Sequence, residues 1–144
     1  MSVSKQNPEG YQDLTAYEAV KNTAGKEQKD DYRPMVFICS PYAGNVDENT
    51  ERARAYCRTA VNLGYLPVAP HLFFPQFLSD SNMAERSLGL FMGQVMLTKC
   101  SEMWVFGDTI SDGMRREIRK ARSRNMSIRY FNRDCQEVYT VCAN

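Results

Sequence analysis

Four short strand-like runs, Met35 to Cys39, Tyr65 to Ala69, Glu102 to Phe106 and Ser127 to Phe131, alternate with stretches of helical period. The first is continuously apolar, the pattern of a strand buried on both faces. Between the runs, Val46, Ala53, Tyr56, Cys57, Ala60 and Val61 recur at helical spacing, as do Leu88, Phe91, Met92, Val95 and Met96. Strands alternating with helices predict an α/β fold: a Rossmann-like, doubly wound parallel sheet of four to five strands with helices on both faces. Such sheets bind ligands in the crevice beyond the carboxyl ends of their strands.

Local signals set the boundaries. Asn45-x-x-Glu48 and Asn82-x-x-Glu85 each place an N-cap before a helix, and Gly64 ends the first one. A further helix is expected over Asp112 to Arg124. Pro70 to Asp80 reads as a loop rich in proline and phenylalanine, and the tail from Asn132 carries the β-prone Val138-Tyr139-Thr140-Val141. Residues 1–12 read as a flexible lead. Thr15-x-x-Glu18 has capping-box spacing, so 14–30 reads as an N-terminal helical extension. Asp30 to Pro34 breaks it, because the residue before proline avoids helical geometry. The expected division is 1–33 for the lead and extension and 34–144 for a single α/β domain.

Charge and cysteine usage narrow the function. The 144 residues carry 18 basic and 17 acidic side chains, which gives no global attraction to nucleic acid or to a membrane surface. The run Arg115-Arg116, Arg119-Lys120, Arg122, Arg124 reads as the solvated face and C-terminal end of a helix. No apolar run approaches the roughly 20 residues that span a bilayer, and Met1 to Gly10 lacks a signal-peptide core. The five cysteines, 39, 57, 100, 135 and 142, have no paired CxxC spacing. They read as reduced thiols of a cytoplasmic protein, with no zinc site, metal or cofactor implied.

The chemistry concentrates in two turns that follow strands. Ser111-Asp112-Gly113-Met114-Arg115-Arg116-Glu117 lies after the third strand and opens a helix. Glycine there lets a ligand approach the backbone, and Ser111 with the free N–H groups of the helix start can hold an anion. Glu117 borders the apolar stripe. It is either an ion-pair partner of Arg33, Arg115 or Arg129, or a functional carboxylate. The earlier turn is Ser40-Pro41-Tyr42-Ala43-Gly44-Asn45. Tyr42 either stacks on a ligand ring or covers the core. His71, the one histidine, is either a ligand contact or a packed loop residue. Asp108 is either an acid–base group or a turn aspartate. Phe73, Phe74 and Phe77 form either an aromatic lip or a packed loop, and Trp104 reads as core.

Ser111-x-Gly113-x-x-x-Glu117 resembles the signature of the nucleoside 2-deoxyribosyltransferase family, in particular its nucleotide-hydrolysing branch, the 2′-deoxynucleoside 5′-monophosphate N-glycosidases. Phe37 to Gly44 resembles the family's first strand and sugar–phosphate loop. The segment 36–131, with Ala69-Pro70-His71 and Trp104 to Asp108, is also similar to uncharacterised bacterial, phage and mobile-element proteins near that family. The resemblance implies Glu117 as nucleophile on the anomeric carbon, Ser111 as a phosphate contact, and Ser40 and Gly44 as pocket lining. It also implies a homo-oligomer, a dimer or higher, in which a neighbouring subunit completes each site. The exposed apolar character of Phe73 to Phe77 and of Leu88, Phe91 and Val95 points the same way. Two positions depart from the pattern. Gln94 stands where the family's helix offers an aspartate, and Cys39 stands where the hydrolase branch has glycine.

The expected function is therefore an N-glycosidase or deoxyribosyltransferase-like enzyme on a nucleotide or nucleotide derivative. Its site would comprise Glu117 and Asp108 as catalytic groups and Ser40, Tyr42, Gly44, His71, Gln94, Ser111 and Gly113 as binding groups. The alternative is a non-catalytic nucleotide-binding protein of the same fold. A phosphoribohydrolase of the lysine-decarboxylase-like type is disfavoured, since its PGGxGT loop is absent.

Overall fold

The computed structural model describes residues 32–139. The N-terminal helical extension expected over 14–30, and the tail beyond Tyr139, lie outside the described residues. From Pro34 on, the described residues belong to one compact unit. The elements are β1 (Met35–Cys39), α1 (Val46–Asn62), β2 (Leu66–Val68), a one-turn α2 (Pro70–Phe73), α3 (Met83–Thr98), β3 (Glu102–Phe106), α4 (Asp112–Ser123), β4 (Ser127–Phe131) and β5 (Glu137–Val138). A 3₁₀ turn over Phe74–Gln76 follows α2.

The sheet order is β2-β1-β3-β4-β5. The first four strands are parallel, with Phe37 opposite both Val68 and Met103, and Trp104 opposite Arg129. The short β5 runs antiparallel to β4, so the sheet is not wholly parallel. The expected α/β architecture with helices on both faces is what the chain forms. Val36 and Ile38 join Trp104, Phe106 and Phe131 against Tyr56 and Ala60 of α1. Phe37, Cys39, Met103 and Val105 join Leu97 of α3 and Met114, Ile118 and Ala121 of α4. The period of two along each strand sends alternate side chains to opposite layers, which is why β1, and β3 after its first residue Glu102, are apolar.

The capping signals act as read. Asn45 Oδ1 accepts from Glu48 N at 3.2 Å, and Asn82 Oδ1 accepts from Glu85 N at 3.1 Å. Gly64, after the C-cap Leu63, has φ +90°, a left-handed conformation that glycine adopts without strain.

Two expectations are corrected. The run from Tyr65 to Ala69 forms a strand only over Leu66–Val68; Pro67 is tolerated because β2 lies at the sheet edge. Pro70 to Asp80 is not a plain loop. Pro70 occupies the first turn of α2, where its fixed φ suits a helix. On α3 the stripe Leu88, Phe91 and Val95 is solvent-exposed, as expected of it, and the buried residues of the helix are Gly93 and Leu97. Gly93 faces the Pro70 ring, where an added Cβ would make an ordinary contact at 3.6 Å.

Towards β4, the α1 face of the sheet is closed by a polar cluster. The Arg129 guanidinium lies 4.7 Å from the Trp104 ring centroid and 5.5 Å from that of Phe131. It donates two 2.8 Å hydrogen bonds to Glu137, and Trp104 Nε1 donates to Glu102 at 2.6 Å. A cation on an aromatic face, held in two-pronged fashion, contributes more than an ordinary surface pair. Arg129→Ala is expected to cost about 1–2 kcal/mol, against no more than about 0.5 kcal/mol for the exposed Arg54→Ala. Urea unfolding followed by Trp104 fluorescence measures both, and equal losses would show that the cluster does not hold the sheet.

Candidate functional site

In the order β2-β1-β3 the chain winds in opposite directions from the two sides of β1. The connections leaving β1 and β3 therefore part, and a crevice opens at the carboxyl end of the sheet. The loop after β1 is held by Asn49 of α1, whose Nδ2 donates to the carbonyls of Tyr42 at 3.0 Å and Ala43 at 3.2 Å. Gly44 in that loop has φ +98°. Gly107, at the start of the loop after β3, has φ +114°, and a Cβ there would lie 3.9 Å from Pro41 Cδ. The two turns singled out in the sequence are thus brought together.

Helix α4 starts at this crevice. Ser111 is its N-cap, accepting from Met114 N at 3.2 Å. Gly113 leaves a bare surface: Arg116 Nη2 lies 3.7 Å, and Ser111 Oγ 4.0 Å, from where its Cβ would be. Glu117 is one turn further along, and helical side chains lean towards the N-terminus, so its carboxylate approaches the same surface. Of the arginines considered as partners, Arg115 pairs with Asp112, and Arg129 pairs with Glu137 and Glu102.

Burial pushes the Glu117 carboxyl up to about 7, opposed by a hydrogen bond from Cys39 and by the Arg116 charge. Cys39 is fully buried, and its Sγ lies 3.8 Å from the Met114 carbonyl. Burial first, and then the neighbouring Glu117, hold its thiol well above the ordinary range. Cys39 is therefore a neutral donor beneath the carboxylate. Sequence reasoning noted this residue only as a departure from a glycine. Its place as the last residue of β1, on the α4 side, was the available signal.

Ser40 follows directly and is 2 % exposed. Its Oγ is buried without a hydrogen-bond partner among the described residues. Such a group costs about 1–3 kcal/mol in a folded protein. On the other side of the loop, the rings of Tyr42 and His71 stack at 4.9 Å and 21°. Burial lowers the His71 pKa, opposed by the nearby Ser40 backbone and the Asp80 charge.

The remaining candidates sit further out. Asp108 is exposed and pairs with Arg133 at 4.0 Å; Arg133 also reaches Glu48 at 3.5 Å. Gln94 is exposed on α3, whose inward face is Gly93 and Leu97. Phe73, Phe74 and Phe77 pack edge to face at 5.1 to 6.0 Å, with Phe73 and Phe77 more than half exposed. Trp104 is core, at 0 % exposure. Cys39, Cys57, Cys100 and Cys135 are free thiols, and burial pushes Cys57 up to about 11 and Cys100 up to about 12. Among the described residues no group of three or more His, Cys, Asp or Glu is placed to hold a metal, and no helix is long and apolar enough to cross a membrane.

The raised Glu117 pKa has a consequence for stability. Its folded value, about 7, lies above the ordinary 4.5, so the folded state binds the proton more tightly. The stability linked to this group is full below pH 4.5 and is lost as pH rises through about 7. Glu117→Gln, which cannot ionise, is expected to be more stable than the wild type by about 1–3 kcal/mol at pH 8. The difference should vanish by pH 4. Denaturation at the two pH values checks this, and a constant difference would mean that Glu117 is not desolvated.

Comparison with known proteins bears on the fold. A solved structure of a 2-deoxyribosyltransferase from Bacillus psychrosaccharolyticus superposes with a TM-score of 0.55 at 14% identity, covering 74% of this chain and 77% of that one. The two share the α/β fold. No curated protein sequence matches the chain. A family model described as "Domain of unknown function (DUF7768)" matches residues 34–131, which take in β1 through β4 and every residue of the crevice. The chain belongs to that family.

Proposed function

We propose that the chain is a deoxyribosyltransferase-like N-glycosidase that cleaves the base–sugar bond of a nucleotide or nucleotide derivative, with Glu117 as nucleophile. The observation that carries this reading is the desolvated Glu117 carboxylate, seated on the Cys39 thiol where the turns after β1 and β3 meet. Breaking an N-glycosidic bond develops oxocarbenium character at the sugar, and a carboxylate beside it stabilises the charge and can trap it covalently. A desolvated carboxylate is the stronger nucleophile once ionised. Ser40, Ser111 and the N-terminus of α4 would hold the 5′-phosphate. Gly44 and Gly113 would give the ligand close approach to backbone, and Tyr42 and His71 would flank it. Gln94 and Asp108 stay at the rim in this reading. The fold shared with a 2-deoxyribosyltransferase supports it.

A binding-only role is the second reading. With a pKa of about 7, Glu117 is half neutral at neutral pH, and a neutral acid binds polar groups without trapping a cation. Incubation with a panel of nucleotides, with free base followed by chromatography, separates the two. We also propose self-association through the exposed Phe73, Phe77, Leu88, Phe91 and Val95. Light scattering at micromolar concentration tests it, and a monomer would count against it.

Glu117→Ala and Glu117→Gln are both expected to abolish cleavage while leaving ligand binding largely intact. Turnover surviving in either would remove Glu117 as nucleophile. In the wild type, turnover should rise with pH through about 7 and then level off, because the ionised form attacks. A rate falling over that range would exclude the assignment.

Ser40→Ala is the cleaner probe of the phosphate site. Its Oγ has no partner to lose, so stability should hold or rise. Nucleotide binding should weaken roughly ten- to a hundredfold, with nucleoside binding unchanged. Ser111→Ala should do the same, but at an added cost of about 1 kcal/mol in stability from the lost cap. Calorimetry with a matched nucleotide and nucleoside decides the matter. Equal losses for both ligands would mean that the serines shape the loops and do not hold phosphate.

A further inference from the structure

Residues 112–124 hold six of the chain's 18 basic side chains but two of its 17 acidic ones. Positive charge is therefore concentrated on α4, and the remainder of the chain is net acidic. Four of the six have a structural account. Arg115 pairs with Asp112 at 3.0 Å, and Arg122 donates to the Tyr130 hydroxyl at 3.2 Å. Lys120 in the last turn and Arg124 at the C-cap suit the helix dipole. Arg116 and Arg119 are left, and Arg116 is the one at the crevice. It is the fifth residue of α4, towards the end where the dipole disfavours a cation. It makes no ion pair among the described residues.

Arg116 and Glu117 follow Gly113 by three and four residues, so both stand over it. Glu117 is half-buried on the inner side, and Arg116 is exposed on the outer side. Arg116 Nη2 and Ser111 Oγ both lie within 4.0 Å of where a Gly113 Cβ would be. Ser111 Oγ accepts from Met114 N, which leaves its hydrogen to donate. The acidic side chains at this rim are engaged elsewhere, Asp112 with Arg115 and Asp108 with Arg133. At the inner end of the crevice, the buried Ser40 Oγ has no hydrogen-bond partner among the described residues. A ligand laid on Gly113 thus meets a carboxyl group on its inner side and a guanidinium on its outer side. In the nucleotide reading, Ser40, Ser111 and the start of α4 take the first phosphate. A guanidinium offers a planar fork of donors that matches a phosphate in two-pronged fashion, and that of Arg116 lies further out. Resting on the nucleotide reading of this site, we propose that Arg116 binds a second phosphate. The ligand is then a nucleotide with a pyrophosphate on its 5′ carbon, either a free diphosphate or one linked to another group through its second phosphate. Lys120, one turn behind Arg116, continues the same cationic face.

Calorimetry at fixed ionic strength compares the 5′-mono- and diphosphates of the four 2′-deoxynucleosides. In the wild type, the diphosphate of the preferred base is expected to bind roughly tenfold or more tighter than its monophosphate. Arg116→Gln should remove that advantage, a loss of roughly ten- to a hundredfold on the diphosphate, with less than about threefold on the monophosphate. Arg124→Gln, which makes the same change in net charge at the far end of α4, should keep it. The methyl ester of the diphosphate's outer phosphate separates the two sources: equal binding assigns the linked form, and weaker binding the free diphosphate. Equal losses on mono- and diphosphate in Arg116→Gln, or the same loss in Arg124→Gln, would overturn the second-phosphate site. So would a wild type that binds both alike. Binding in the expected pattern without release of base would overturn the cleavage reading and leave the pyrophosphate site in place. A wild type that binds none of these nucleotides would overturn both.

Discussion

Burial of β1 on both faces is the constraint from which the site follows. Val36 and Ile38 are committed to the layer under α1, and Phe37 and Cys39 to the layer under α3 and α4. A strand committed twice in this way must lie inside the sheet, with a neighbour on each edge, and here those neighbours are β2 and β3. The crossovers to them leave in opposite directions, and the gap between the connections is the crevice. Apolar packing thus sets the position of the polar residues. Ser40 and Tyr42 reach the crevice because the strand before them cannot shift register without moving its apolar side chains to the wrong layers.

Within the crevice, two groups are held at a cost to the fold. Glu117 is desolvated, and Ser40 Oγ is buried without a partner. They lie beside the same residue, Cys39, which supplies a weak donor to the first and precedes the second in sequence. A thiol is a mild choice there. An arginine in its place would stabilise the charged carboxylate strongly. Burial raises the Glu117 carboxyl to about 7, and the thiol opposes this only in part.

The sheet was legible in the sequence because β1, and β3 after its first residue Glu102, are apolar and the caps Asn45 and Asn82 are local signals read within four residues. Ser40, Ser111, Gly113 and Glu117 were legible because turn and cap chemistry depends on nearest neighbours. Other features depend on distant contacts. Cys39 and Met114 meet across 75 residues, and no local pattern announces it. The stripe of Leu88, Phe91 and Val95 has the period of a core face, but periodicity reveals a stripe without saying what covers it. Gly93, which the pattern treats as a gap, is the residue that α3 turns to Pro70.

The two borders of the sheet have a consequence for how copies of the chain can meet. One border is β2, three residues long with Pro67 at its centre, and the other is β5, two residues long and including Glu137. Proline has no N–H to offer, and strands this short present few open backbone groups. Both borders are poor templates for continuing the sheet into a second molecule. The exposed phenylalanines, with Leu88 and Leu90, lie on α2, α3 and the segment between them. Any assembly of this protein would therefore favour side-chain packing between helices, a geometry that can close, over strand addition, the route that leads to open-ended fibres.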